Sequence, residues 1–310
     1  MKDIYDILRE WKKRRDAQFA LATLIRANGS SYRRPGARML ICQDGHTVGS
    51  LSAGCLEEEV ATCARNVLQT GEPAMMSFDT RRRFGCNGKI DIFIERVSEN
   101  LFVDLSNNLD ARRSCFGMTK FNGVDLGSRI FLGDPVAGVT TPGYNTVLVQ
   151  QITPPIRLLI FGDGPDNAPI RKLARLLGWE TNELIDSNAI SVETDEWTVA
   201  LVKSHNYGRD FVALQKLLPL NLRYVGLIGP RKRRDQLLNE LLDVGVAINP
   251  GFFAPAGLDL GAETPEEIAL AIVSEIQRVL AAGSAFSLRE RKMSIHRALD
   301  CADTSALSKR

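Results

Sequence analysis

Several things are scarce in this sequence. Histidine occurs three times, at His46, His205 and His296, and no two cysteines form a C-x-x-C pair. A pre-built zinc site of the usual Cys/His spacing therefore has no ligand set here. Six cysteines over 310 residues are too sparse for a disulfide framework. No apolar run approaches membrane-spanning length. The opening stretch MKDIYDILREWKKRRD is charged and amphipathic, without the apolar centre of a signal peptide. The net charge of +2 is too small for general nucleic-acid affinity. The expectation is a cytoplasmic protein with reduced thiols, binding neither membrane nor nucleic acid.

What is present describes a soluble globular chain. Apolar residues make up 44% and charged residues 25%, ordinary values. The length favours two domains. Ile4, Ile7, Leu8 and Trp11 share one face of an N-terminal helix. FALATLIRANG reads as a strand, and Asp44-Gly45 as the turn of a hairpin within RMLICQDGHTVG. Leu56, Val60, Ala64 and Val67 recur at helical spacing, with Gly71 closing the helix. PAMMSFD and KIDIFIERV read as two further strands. This is an α+β unit over residues 1–97. Residues 98–155, with a short helix, a hairpin and ITPP, are expected to bridge two domains.

The second half alternates strand and helix. Ile156–Phe161, TNELID, TVALVK and RYVGLIG read as strands. Thr264-Pro265-Glu266-Glu267 opens a last helix with Ile268, Ile272, Ile276 and Val279 on one stripe. The pattern predicts a Rossmann-like parallel sheet covered on both faces over 156–283, then a polar, basic tail over 284–310. The fold class is therefore α/β, an N-terminal α+β domain followed by a parallel-sheet domain.

Four places could carry chemistry. Gly54 and Cys55 stand where a helix begins, with Glu57, Glu58 and Glu59 in its first turn. A thiol facing free backbone N–H groups loses its proton more easily. A small buried cysteine fits the same stretch on its own terms. ANGSSYRRPGARML places Arg33, Arg34 and Arg38 in a loop between strands. TRRRFGCNG places Arg81, Arg82 and Arg83 beside Gly85, Cys86 and Gly88. The two cysteine loops meet if their strands are neighbours. Arginines hold anions and thiolates suit soft metals or sulfur, although each arginine alone also fits a solvated surface.

In the second half, Gly162 and Gly164 match the first two glycines of G-x-G-x-x-G, and Asp186 closes the next strand where a ribose-binding acid belongs. Asn167 replaces the third glycine. Asp163 and Asp166 bring negative charge to the place of a pyrophosphate. Arg231, Lys232, Arg233 and Arg234 crowd the start of a further helix. Cations there oppose the helix dipole unless an anion joins them.

The ordered set GSSYRRPGARM, GSLSAGCLEEEV, FGCNGKIDIFIE, LLIFGDGPDN, YVGLIGPRKRR and APAGLDLGAETPEEIALAIVSEI resembles the XdhC/CoxI family of xanthine dehydrogenase accessory factors. The resemblance implies a chaperone rather than an enzyme, often dimeric. It would bind the molybdenum cofactor (molybdopterin), protect it while a cysteine desulfurase supplies a sulfido ligand, and deliver it to a xanthine dehydrogenase-type apoenzyme. It further implies that Cys55 and Cys86 face the metal end with Glu57 near. Arg33, Arg34 and Arg38 would hold pterin or phosphate. Ala53, Asn87 and Pro165 depart from the residues common in the family at those places. Two alternatives stay open: an NAD(P)-dependent oxidoreductase using the second domain, and a thiol-redox protein using Cys55 and Cys86.

Overall fold

A computed structural model of the chain describes residues 2–79, 88–133, 146–185 and 194–291. Its N-terminal helix α1 (Lys2–Lys13) buries Ile4, Ile7, Leu8 and Trp11, the stripe read from the sequence. Strands β1 (Phe19–Gly29), β2 (Arg38–Cys42), β3 (Thr47–Gly49), β4 (Ala74–Asp79) and β5 (Gly88–Arg96) form one sheet in the order β3-β2-β1-β5-β4. Every neighbouring pair is antiparallel. Helix α2 (Glu57–Thr70) covers one face with Val60, Ala64, Val67 and Leu68, and Leu56 joins them from just ahead of the helix. Each valine or leucine among them stabilises by about 1.5–3 kcal/mol when fully buried. Gly71 ends α2 at φ 77°, and its N–H donates to the Val67 carbonyl. That left-handed conformation favours glycine.

Residues expected as a bridge add more than a link. Helix α3 (Glu99–Asp110) and strands β6 (Cys115–Lys120), β7 (Gly127–Phe131) and β8 (Val147–Ile152) build a second, three-stranded sheet. Strand β8 has no counterpart in the sequence reading. Leu101, Phe102, Leu105, Cys115 and Ile152 pack with α1 and the far face of the first sheet. The same segment also reaches the second domain. Arg112 donates to Asp195 and Glu180 and to the Pro155 carbonyl, and Tyr5 Oη donates to the Thr153 carbonyl at 2.8 Å.

The second domain is a parallel sheet of β9 (Arg157–Phe161), β10 (Glu180–Leu184), β11 (Thr198–Val202), β12 (Val225–Leu227) and β13 (Phe252–Phe253). Its order is β10-β9-β11-β12-β13, so the strand order reverses direction between β9 and β11. Helices α4 (Asn167–Leu176) and α7 (Pro265–Leu280) cover one face. Helices α5 (Tyr207–Leu217) and α6 (Arg231–Asp243) cover the other. The start of α7 is as its sequence predicts: Thr264 caps Glu267 N–H while the Glu267 carboxylate accepts from Thr264 N–H, a capping box. Its buried stripe differs by one position. Ala269, Ile272 and Ile276 face inward, and Ile268 is 37% exposed. Among the described residues no helix is long and apolar enough to cross a membrane.

Candidate functional site

All-antiparallel pairing sends three loops off in the same direction along the first sheet. They leave β1 after Gly29, β3 after Gly49, and the β4–β5 pair between Asp79 and Gly88. These are the arginine loop, the Cys55 loop and the Cys86 loop. Segment 80–87, with Arg81, Arg82, Arg83, Gly85 and Cys86, lies outside the described residues, as does Asp186.

Two of the loops are joined. Arg33 Nη1 donates to Ser50 Oγ at 3.0 Å, and Arg33 Nη2 reaches the Asp3 carboxylate on α1. Ser31 Oγ donates to the Arg33 carbonyl at 2.7 Å, which stiffens the turn. Arg34 is exposed on the same loop.

The Cys55 loop is shaped from within. One carboxylate, Glu57, accepts from Leu51 N–H at 3.1 Å, Ser52 N–H at 2.8 Å, Ser52 Oγ at 2.7 Å and Leu56 N–H at 3.0 Å. Partial burial pushes its pKa up, but the hydrogen bonds from Ser52 and Leu56 outweigh this and hold the carboxyl below its ordinary value. Glu57 is thus the staple of the loop, a role its sequence position beside Cys55 does not announce. Gly54 and Cys55 N–H both point at Ser52 Oγ, each at 3.2 Å, and Cys55 Sγ lies 3.4 Å from it. Gly54 has φ 108°, and nothing stands within 4 Å of where its Cβ would be. A ligand can therefore approach this backbone closely.

Cys55 is exposed, unlike the buried Cys42 and Cys115. Burial pushes the Cys42 and Cys115 thiols up to about 11, which makes them inert near neutral pH. Cys63 is half-buried on α2, and burial raises its pKa as well.

Arg38 belongs elsewhere. Its guanidinium is buried under the first sheet, where Nη1 donates to Gln150 Oε1 and to the Gly36 carbonyl. Burial pulls it down to about 10 against the pull of Glu95. Glu95 is buried too; burial raises its pKa although it accepts from Ser128 and faces Arg38. The expectation that Arg38 holds a ligand is corrected: a β-strand residue beside Arg33 and Arg34 in sequence points inward. Gly88 is also required by the fold, since a Cβ there would lie 2.3 Å from the Ser30 carbonyl oxygen.

The two cysteine loops do not leave neighbouring strands. Strands β2 and β1 stand between β3 and β5, about 14 Å at the usual ~4.8 Å spacing. Gly49 pairs with Met39 and Met39 with Ala22, whereas Gly88 pairs with Gly29. The Cys86 loop is thus rooted about 23 Å further along β1. The condition under which the loops were expected to meet is not fulfilled.

The glycine turn of the second domain sits at the switch point, where α/β sheets bind ligands. Its glycines answer to the chain itself. Gly162 has φ 131°, and a Cβ there would stand 2.6 Å from the Lys203 carbonyl oxygen; one on Gly164 would stand 2.5 Å from Asp166 Oδ1. Lys203, at the end of β11 with its side chain wholly buried, donates to Asp166 Oδ1 at 2.8 Å and Asn167 Oδ1 at 2.7 Å. Asn167 Nδ2 donates to the Gly162 carbonyl at 3.0 Å and to Glu183 at 2.9 Å. The first N–H groups of α4 already meet the carbonyls of Gly164 and Pro165. A side-chain network therefore occupies the ground where a pyrophosphate would need free donors, and the turn does not fit that group. The arginine run is likewise partly engaged. Arg233 pairs with buried Asp210, and Arg234 with Asp235 and the Ala254 carbonyl. Arg231 and Lys232 remain exposed.

Comparison with known proteins agrees with this two-part layout. Residues 13–79 match the model of the XdhC and CoxI family, and residues 158–276 that of the XdhC Rossmann domain. A Bacillus subtilis (strain 168) protein named as a probable xanthine dehydrogenase subunit is 28% identical, over 83% of this chain and 91% of the relative. The molybdenum cofactor insertion chaperone PaoD of Escherichia coli (strain K12) is 24% identical, over 84% of this chain and 82% of its own length. A crystal structure described as a xanthine dehydrogenase from Bacillus halodurans superposes with a TM-score of 0.78 at 27% identity, covering 93% of this chain and 98% of the other. Matched by the family's two models in the family's order, the chain belongs to the XdhC/CoxI family.

Proposed function

We propose that this protein is an accessory factor that binds the molybdenum cofactor, supports its sulfuration by a cysteine desulfurase and delivers it to a xanthine dehydrogenase-type apoenzyme, acting in the cytoplasm as a homodimer. One observation carries the reading: Arg33 clasps Ser50, so a cationic loop and the loop bearing exposed Cys55 form one surface. The donor set fits the group. Arg33 and Arg34 suit an anionic phosphate, Cys55 suits a soft metal or sulfur, and the open backbone at Gly54 admits a flat ring. The cofactor, when bound, supplies the metal centre that the recipient enzyme uses. The chain's own part is to hold the anionic end and keep a thiol beside the metal end. The PaoD relative, named as an insertion chaperone, supports the same role.

Transfer is the test. Purified protein from cells that make the cofactor is mixed with a xanthine dehydrogenase-type apoenzyme, and the restored hydroxylase activity is followed. Activation by the wild type, lost in Cys55→Ala, is expected. Equal activation by Cys55→Ala would remove the thiol from the reading, and none by either protein would remove the role.

A further inference from the structure

Helices α4 and α7 present an outer face that the domain does not use. Inward, they bury Ile170, Ala269, Ile272 and Ile276 against the sheet. Outward, Leu176 is 68% and Leu270 50% exposed. These leucines line a groove of about 520 Å³ with Leu173, Leu177 and Val273. A second groove of about 520 Å³ meets it at Leu176 and is lined by Lys2, Arg171, Lys172 and Arg175. Among the described residues no carboxylate lines either groove. Lys2 pairs with Asp6 and Arg171 with Glu183, while Lys172 and Arg175 carry no ion pair among the described residues. An apolar trough with a one-signed rim is the mark of an interaction surface rather than of a merely solvated helix.

We propose that this face docks an acidic amphipathic helix of a partner protein. Its apolar stripe would lie in the leucine groove, and its carboxylates would meet Lys172 and Arg175. The chain's own C-terminal segment is a poorer occupant. The chain leaves along this groove at Gly283 and Ala285, but residues 292–310 hold four Lys/Arg against two Asp and would bring like charge to a basic rim. The proposal is independent of the cofactor reading, since none of these residues belongs to the Cys55 and arginine loops.

A labelled synthetic helix with leucines at i, i+3, i+4 and i+7 flanked by glutamates serves as the probe, with a lysine-flanked twin as control. Fluorescence anisotropy against the full chain should show the acidic peptide binding at least about tenfold more tightly. Lys172→Glu/Arg175→Glu should invert that preference, and Leu176→Glu should abolish binding of both. Leu176 is exposed, so an unchanged circular dichroism spectrum is expected for its variant. Equal binding of both peptides, no binding of either, or acidic-peptide binding untouched by Leu176→Glu would overturn the proposal. So would a dimer in sedimentation equilibrium that Leu176→Glu dissociates, which would assign the face to a second copy of the chain.

Discussion

Arg33 and Ser50 are hydrogen-bonded at 3.0 Å across two loops that the sequence separates and the antiparallel sheet brings together. That contact, with Asp3 holding the other arm of the guanidinium, makes the arginine loop and the Cys55 loop parts of one surface. The proposed function rests on it.

Glu57 should be more than a first-turn acid. Its carboxylate takes four hydrogen bonds from the loop, so Glu57→Ala should cost about 1–3 kcal/mol in urea unfolding and change the alkylation rate of Cys55. The folded pKa lies below the unfolded one, so this stability is present above the ordinary glutamate range. It is lost as pH falls through the depressed folded value. Glu57→Gln should flatten the acid limb of the stability curve; an unaltered limb would show that the staple contributes nothing.

Arg38 and Arg33 should separate cleanly. Arg38→Ala strips Gln150 Oε1 and the Gly36 carbonyl of a buried donor and should cost about 1–3 kcal/mol. The protein that still folds should bind pterin as before. Loss of pterin at unchanged stability would return Arg38 to the ligand site.

Lys203 should be structural, and the glycine turn closed to dinucleotides. Lys203→Met strips Asp166 and Asn167 of a buried donor and should lower the melting temperature by several degrees. Millimolar NADH should leave the wild-type melting temperature where it is. A rise would mean binding to the native state and would revive the oxidoreductase alternative.

Cys55 and Cys86 should stay unpaired. Their loops are rooted on strands with two others between them, far beyond the Cα separation of a disulfide unless segment 80–87 reaches back. Peptide mapping after mild oxidation should recover no Cys55–Cys86 link; recovering it would favour the thiol-redox alternative.

Much of the fold was legible because local signals and tertiary packing agree. The Thr264 cap, the Asp44-Gly45 turn and the Leu56–Val67 stripe each state their own geometry. Two of the misses share one cause, partners distant in sequence. Lys203 ends a strand and nothing local marks its role, since its acceptors lie 37 and 36 residues earlier. Arg33 reads as solvated until Asp3 and Ser50 are placed beside it. Ile268 looks like the first rung of α7's stripe, but the smaller Ala269 takes the buried place. Arg38 looks like its neighbours and differs only because β2 has begun.

The most direct measurement is pterin content. Protein purified from a host that makes molybdenum cofactor would be oxidised and its released pterin read by fluorescence, wild type beside Cys55→Ala. Near-stoichiometric pterin in the wild type, with loss in the variant, is the predicted result. No pterin in either, under conditions that load a known carrier, would contradict the account.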